Sequence, residues 1–189
     1  MNTKLIVLTA LRPELDPQHM PEGIEIFYTG IGKINATLTT LKAIEQARPT
    51  LIVNFGTVGA VSPHVSGLLE ISRVVQRDMI AEPLAPRGRV PFCERPYEYF
   101  SIQGAHTCGT GDSFVTTKDP WLEEQGIHVV DMELFAIAAV AHAHGLPWLS
   151  YKYVTDFTND ASGKDWHEKI NHGEDLFLEK LRDLQQTKS

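Results

Sequence analysis

The sequence predicts a layered α/β fold with a mixed central sheet. Apolar runs of strand length recur along the chain, and segments of helical spacing separate many of them. The middle is rich in strand-forming residues with no helix between them. Regular alternation would imply a purely parallel sheet, so the β-rich middle implies a mixed one. One domain is expected over residues 1–189, with a polar tail from about 185.

Residues 4–10 read as a buried strand and Ile24–Tyr28 as a second. Ile34, Leu38, Leu41 and Ile44 recur at helical spacing and make a one-sided helix over 33–47. Leu51–Phe55 is a short apolar strand running into Gly56-Thr-Val-Gly59. Leu69–Asp78 has strand composition, and the Pro- and Arg-rich stretch 83–96 is a loop. Tyr97–Ile102 and Gly104–Cys108 are strands, followed by a turn at Gly109–Ser113. Ile127–Val130 is a strand, and residues 132–144 form an almost wholly apolar helix stopped by Gly145 and Pro147. Trp148–Val154 is the last strand. Trp166, Ile170, Phe177, Leu181 and Leu184 trace one face of a terminal helix.

Composition narrows the function. Hydrophobic residues at 42% and charged residues at 22% are ordinary for a soluble globular protein. A net charge of −7 argues against nucleic acid or an anionic membrane as partner, but not against a nucleoside, which carries no phosphate. Cys93 and Cys108 lack metal-ligand spacing and read as reduced thiols of a cytoplasmic protein. The apolar N-terminal run is cut short by Arg12, Pro13 and Glu14, so it reads as a strand and not a signal peptide. His142, His144, Gly145 and Pro147 break the longest apolar stretch, so no membrane span is expected.

Several familiar patterns fail on spacing. After Gly30-Ile-Gly32 the third glycine of a dinucleotide fingerprint would fall on Asn35, and Lys33 precedes Ile34, not Ser or Thr. His167-Glu168 with His172 has its histidines five apart, and His142 and His144 are two apart, so neither pair shares a helix face. No metal or cofactor is expected.

What remains is a set of turns and acids at strand ends. Glycine-containing turns follow apolar strands at Thr29-Gly-Ile-Gly32, Asn54-Phe-Gly-Thr-Val-Gly59 and Cys108-Gly-Thr-Gly-Asp-Ser-Phe-Val115. In open α/β sheets ligands bind outside strand ends, where glycine lets backbone approach closely. Asp131 and Glu133 stand between an apolar strand and the apolar helix, and Asp156 ends the last strand. Buried acids are costly unless paired or hydrogen-bonded, so such acids mark a candidate site.

These motifs resemble those of the nucleoside phosphorylase/nucleosidase superfamily, most closely its 5′-methylthioadenosine/S-adenosylhomocysteine nucleosidase branch. The resemblance is carried by Thr29-Gly-Ile-Gly-Lys-Ile-Asn-Ala36, Asn54-Phe-Gly-Thr-Val-Gly-Ala60, Gly111-Asp-Ser-Phe-Val115, Val130-Asp-Met-Glu133 and Val154-Thr-Asp156, in the family's order. It implies a three-layer α/β/α fold around a mixed, partly barrel-like sheet, and a homodimer. It further implies a purine acid at Asp156 supported by Thr155, and a water-activating base at Glu14. Glu133 and Met132 would bind the ribose, Phe114 would stack on the purine and the Val115 backbone would read its edge. Thr57 and Gly59 would line the floor. Each assignment has a plainer competitor: Glu14 as an exposed turn residue, Met132 and Phe114 as core, Asp156 as a turn cap with Asn159 and Asp160. Asp131 reads as a cap for the following helix.

The resemblance also separates hydrolysis from phosphorolysis. Phosphate-using relatives carry an arginine where this chain has Asn54, and Arg12 is the basic residue expected to reach that space. The implied substrate is a small 5′-modified purine nucleoside. A phosphorylase or futalosine-type hydrolase of the same fold, and a non-catalytic nucleoside-binding module, are the alternatives. Between Asp78 and Gly109 the chain is shorter than is usual for the branch. Pro83–Phe92 is the stretch expected to shape the 5′ pocket instead.

Overall fold

The computed structural model describes residues 4–157 and 171–186, the side chains of residues 156 and 157 excepted. Trp166, Ile170, His167, Glu168, Asn159 and Asp160 lie outside the described residues. Eight strands form one sheet: β1 Leu5–Thr9, β2 Glu25–Tyr28, β3 Leu51–Ala60, β4 Leu68–Gln76, β5 Glu98–Phe100, β6 His106–Thr110, β7 Val129–Asp131 and β8 Trp148–Phe157. Among the described residues the helices are α1 Lys33–Ala47, α2 Pro120–Glu124, α3 Leu134–Ala143 and α4 Glu174–Gln186, and 3-10 turns cover Arg12–Glu14 and Pro17–His19.

The sheet is mixed and closes on itself. Strand β3 pairs with β7 antiparallel and with β8 in parallel, β8 runs antiparallel to β4, and β4 and β7 each pair with β6 in parallel. The circuit β3-β8-β4-β6-β7 is a five-stranded barrel. Strands β1 and β2 extend it in parallel beyond β3, while β5 lies antiparallel on β4.

Alternation along the strands builds three layers. Ile6 and Leu8 of β1 join Ile52 in a core covered by Ala36 and Ala43 of α1 and by Leu134, Ile137 and Ala141 of α3. Leu5 and Val7 point the other way, where Val53, Phe55 and Leu149 meet Phe177, Leu178 and Leu181 of α4. Phe55 and Phe177 stack with centroids 4.4 Å apart. The expected α/β/α layering around a barrel-like sheet is what the chain adopts.

Three local expectations need correction. Strand β3 runs on through the segment read as a post-strand turn, so Gly56 and Gly59 lie in it, while Thr155-Asp156 close β8 as expected. A Cβ at Gly56 would stand 3.3 Å from Lys152 Nζ and 3.5 Å from Glu14 Oε1, so the missing side chain makes room for two charged tips. Most of the apolar stripe of α1 does not face the core: Ile34 is 74% and Leu38 62% exposed and only Ile44 packs against the core, whereas Ala36, Thr40, Ala43 and Ala47 are buried. Small residues let this helix pack closely on α3, and Ile34, Leu38 and Leu41 are left outside. Finally, α2 was not anticipated, although Asp119 caps it through Oδ1 (3.1 Å from Trp121 N) and Pro120 opens it.

Candidate active site

The segments leaving β1, β4, β6 and β7 converge with the distal half of β3 around one open cavity. Its wall includes Glu14, Thr57, Gly59, Arg77, Phe114, Val115, Met132 and Glu133. Seven of the nine predicted site residues thus lie on one surface, although they come from four separate stretches of sequence.

Glu14 is not an exposed turn residue. The 3-10 turn after β1 directs it inward, and only 3% of it is exposed. Its Oε2 accepts from Thr9 Oγ1 (3.1 Å) and Leu11 N (2.9 Å), and its Oε1 from Thr57 N (3.0 Å) and Thr57 Oγ1 (2.9 Å). Four donors on two oxygens offset the desolvation that would otherwise make such burial costly.

Glu133 sits across the cavity with one backbone partner, Gly32 N, 2.9 Å from Oε1. Gly32 has φ +93°, a conformation that glycine adopts without penalty, and this turns its N–H toward the acid. Burial, with the negative charge of Asp131 alongside, pushes the Glu133 carboxyl up to about 8 against the pull of Lys152 and the Gly32 N–H. At neutral pH the carboxyl is therefore mostly protonated and can donate as well as accept.

Asp131 is the expected cap, and more. Its Oδ2 accepts from Leu134 N (2.9 Å), in the first turn of α3, and from Lys152 Nζ (2.8 Å). Its Oδ1 accepts from Thr110 Oγ1 (2.5 Å), which in turn accepts from Phe135 N (2.9 Å). Burial alone would raise the Asp131 pKa, but Lys152 and these donors hold it below the ordinary aspartate value. Lys152 is pulled the other way: burial would lower its pKa, and Asp131 first among its acidic neighbours raises it. Both members of the pair are therefore charged.

The wall around Phe114 is built differently. Phe114 is 55% exposed, and Val115 beside it is half-buried. Arg77, at the end of β4, is buried against this loop. It donates from Nη2 to the carbonyls of Gly111 (2.9 Å) and Ser113, and from Nη1 to Ser113 Oγ (3.2 Å). Burial lowers its pKa against the pull of Asp78 and Asp131.

Asp156 is placed through its backbone. It is the Cα partner of Gly59 across β3 and β8, just past a register shift that leaves Thr155 as an extra residue on β8. Thr155 is buried, and its Oγ1 donates to Val58 O at 3.4 Å. The side chain of Asp156 lies outside the described residues.

Two expectations about the site are overturned. Arg12 lies over the Tyr28 ring at 4.8 Å and does not line the cavity, whereas Arg77 does and Lys152 pairs with Asp131. Among the described residues, none of Pro83–Phe92 lines the cavity: Arg87 of that loop pairs with Asp119 (2.7 Å) and packs over Trp121. The replacement at Asn54 has a structural use. Its amide donates to Leu8 O (3.1 Å) and accepts from Ser150 Oγ (2.9 Å), tying β1, β3 and β8 together.

A family model described as the phosphorylase superfamily matches residues 23–184. The chain belongs to this superfamily. It is similar to a 5′-methylthioadenosine/S-adenosylhomocysteine nucleosidase of Staphylococcus haemolyticus, 29% identical over 164 residues that cover 74% of this chain and 71% of that protein. The nucleosidase of that name from Halalkalibacterium halodurans is 32% identical over 161 residues, covering 71% and 69%. Among solved superfamily structures, the Helicobacter pylori 5′-methylthioadenosine/S-adenosylhomocysteine nucleosidase with butyl-thio-DADMe-Immucillin-A superposes with a TM-score of 0.86. That likeness covers 97% of this chain and 99% of the other at 21% identity. The S-adenosylhomocysteine nucleosidase of Streptococcus pyogenes, in complex with 5-methylthiotubericidin, gives 0.77 over 91% of each chain, also at 21% identity. At that identity the likeness concerns the fold. No helix among the described residues is long and apolar enough to cross a membrane.

Proposed function

We propose that this protein hydrolyses the N-glycosidic bond of a 5′-modified purine nucleoside, 5′-methylthioadenosine or S-adenosylhomocysteine, releasing adenine. One observation carries the reading: a buried carboxylate, Glu14, held by four donors in the same cavity as the half-exposed ring of Phe114 and the sugar-side acid Glu133. The names of the relatives in the superfamily support the choice of substrate.

In this reading the C1′–N9 bond breaks with its electron pair leaving on the purine, and positive charge develops on the sugar. Asp156 gives a proton to N7, so that adenine departs neutral. A water oxygen bonds to C1′ and passes its proton to Glu14. Both oxygens of Glu14 are already engaged, so a hydroxyl of Thr9 or Thr57 rotates away to admit that proton. Glu133 and Met132 hold the ribose, Phe114 stacks on the base and the Val115 backbone reads its edge. Thr57 and Gly59 form the floor, and Thr155 supports the strand that carries Asp156.

Water is favoured over phosphate because the cations are committed elsewhere. Lys152 is paired with Asp131, the terminal nitrogens of Arg77 hold the 111–113 turn, and Asn54 brings no charge. Residues 1–189 act as one cytoplasmic domain in methionine salvage, and the protein works as a homodimer. The exposed Ile34, Leu38 and Leu41 of α1 support an interface between copies, which light scattering on a sizing column tests.

The deciding experiment is incubation with a purine nucleoside panel, with and without phosphate, followed by chromatography of the products. Adenine and free 5′-thioribose are expected at equal rates in both arms. Strict phosphate dependence with a ribose-1-phosphate product would establish a phosphorylase instead. Adenine binding without cleavage would establish a binding module. Asp156→Asn and Glu14→Gln should each lower turnover by roughly 10²–10⁴-fold while leaving adenine affinity near normal.

A further inference from the structure

Arg77 and Asp78 leave β4 as neighbours and grip three consecutive residues of one turn. The Arg77 guanidinium takes the carbonyls of Gly111 and Ser113 and the Ser113 hydroxyl, while the Arg77 backbone N–H donates to Thr110 O at 2.8 Å. Asp78 Oδ2 accepts from Asp112 N at 2.9 Å, and its Oδ1 pairs with Lys33 Nζ at 2.5 Å. Asp112 Oδ1 then accepts from Lys33 N at 2.8 Å, at the start of α1, next to the Gly32 N–H that holds Glu133. The grip is close: a Cβ on Gly111 would stand 2.9 Å from Arg77 Cζ and 3.0 Å from Asp78 Cγ.

The arrangement is poor for stability alone. Among the described residues, Arg77 Nε is the buried side-chain nitrogen or oxygen without a hydrogen-bond partner. A buried arginine with an unpaired donor carries a desolvation penalty that an apolar side chain would avoid. What it gains is a fixed path for Ser113-Phe114-Val115, whose ring and backbone face the cavity that Arg77 itself helps to line.

We propose that Arg77 is a positioning residue for base recognition: its guanidinium fork sets the turn that presents Phe114 and Val115 to the purine. Asp78, through Lys33, couples that turn to the segment that fixes the sugar-side acid. The inference rests on the purine-nucleoside reading of the cavity. A planar fork holding two carbonyls and a hydroxyl cannot be reproduced by an ammonium, so lysine at this position keeps the charge and loses the geometry.

The test is Arg77→Lys, with steady-state kinetics, adenine affinity by calorimetry and thermal unfolding measured together. KM and the adenine Kd are expected to rise in parallel by about tenfold, with a much smaller change in kcat and no rescue by the retained charge. A KM and adenine Kd within about twofold of the wild type would overturn the proposal, whatever the melting temperature does. Should Arg77→Lys fail to fold, Ser113→Ala removes one arm of the grip: a KM about threefold higher supports the proposal and an unchanged KM overturns it. A wild-type protein that cleaves no nucleoside but binds adenine refutes the hydrolase reading alone, and the clamp is then judged on the adenine Kd. A wild-type protein that does neither refutes both.

Discussion

The two sides of the cavity are held in opposite ways. On the side proposed to face the sugar, Glu14, Asp131 and Lys152 are buried and satisfied within the barrel. Glu14 carries four hydrogen bonds, and the Asp131–Lys152 pair has side-chain exposures of 0% and 1%. On the side proposed to face the base, Phe114 is 55% exposed and its loop is gripped from one edge by Arg77. Charges that must act on a developing cation need fixed geometry before the substrate arrives, because reorganising them during the reaction would cost part of the barrier they lower. A planar base needs only a surface to lie on, and that surface can be completed as it binds.

The largest effect should come from breaking the rigid side. Lys152→Met leaves the Asp131 carboxylate buried without its counter-charge, and a loss of about 3–5 kcal/mol in urea unfolding is expected. Adding Asp131→Asn to that variant removes the orphaned charge and keeps an acceptor for Leu134 N, so most of the loss should return. A single variant that loses less than about 1 kcal/mol would mean that the barrel interior tolerates the lone carboxylate, and that the contrast between the two sides is weaker than the geometry suggests.

Next in size is the pH response of Glu133. Its folded pKa is raised from 4.5 to about 8, so the protonated acid is the form that folding favours. Its stabilising contribution is full below the unfolded value and is lost as pH rises toward and through 8. Between pH 5 and 8 the wild type should therefore lose stability relative to Glu133→Gln at a slope on the order of 1 kcal/mol per pH unit. The measurement is chemical denaturation of both proteins across that window. Parallel curves would show that Glu133 is already ionised in the folded chain.

This asymmetry explains what could be read from the sequence. The rigid side announced itself through Val130-Asp-Met-Glu133, where acids interrupt an apolar run, and through glycines that bring backbone close. The cap at Asp131 followed from those patterns, whereas the gathering of Glu14, Glu133, Thr57 and Gly59 was implied by the resemblance to the nucleosidases. Lys152 was just as visible, a lysine inside Tyr151-Lys-Tyr-Val-Thr155. Its meaning depended on a partner 21 residues earlier, across a barrel that no periodicity reveals. Arg77 was hidden for the same reason, since its partners lie 34 and 36 residues away. The α1 stripe misled because helical spacing shows which residues share a face, not which face is buried.

The smallest effect belongs to the open side. Phe114→Ala removes a ring that is mostly outside the packed core, so stability should change by no more than about 0.5 kcal/mol. Adenine affinity should fall by about five- to tenfold, the loss expected for one aromatic stack, and KM should rise with it while kcat moves little. Calorimetry with adenine and steady-state kinetics read these quantities independently. A large fall in melting temperature would place Phe114 in the packed structure and move the base side into the same class as the barrel interior. An unchanged adenine affinity would take the stacking role away from Phe114 and require the base to be held by backbone alone.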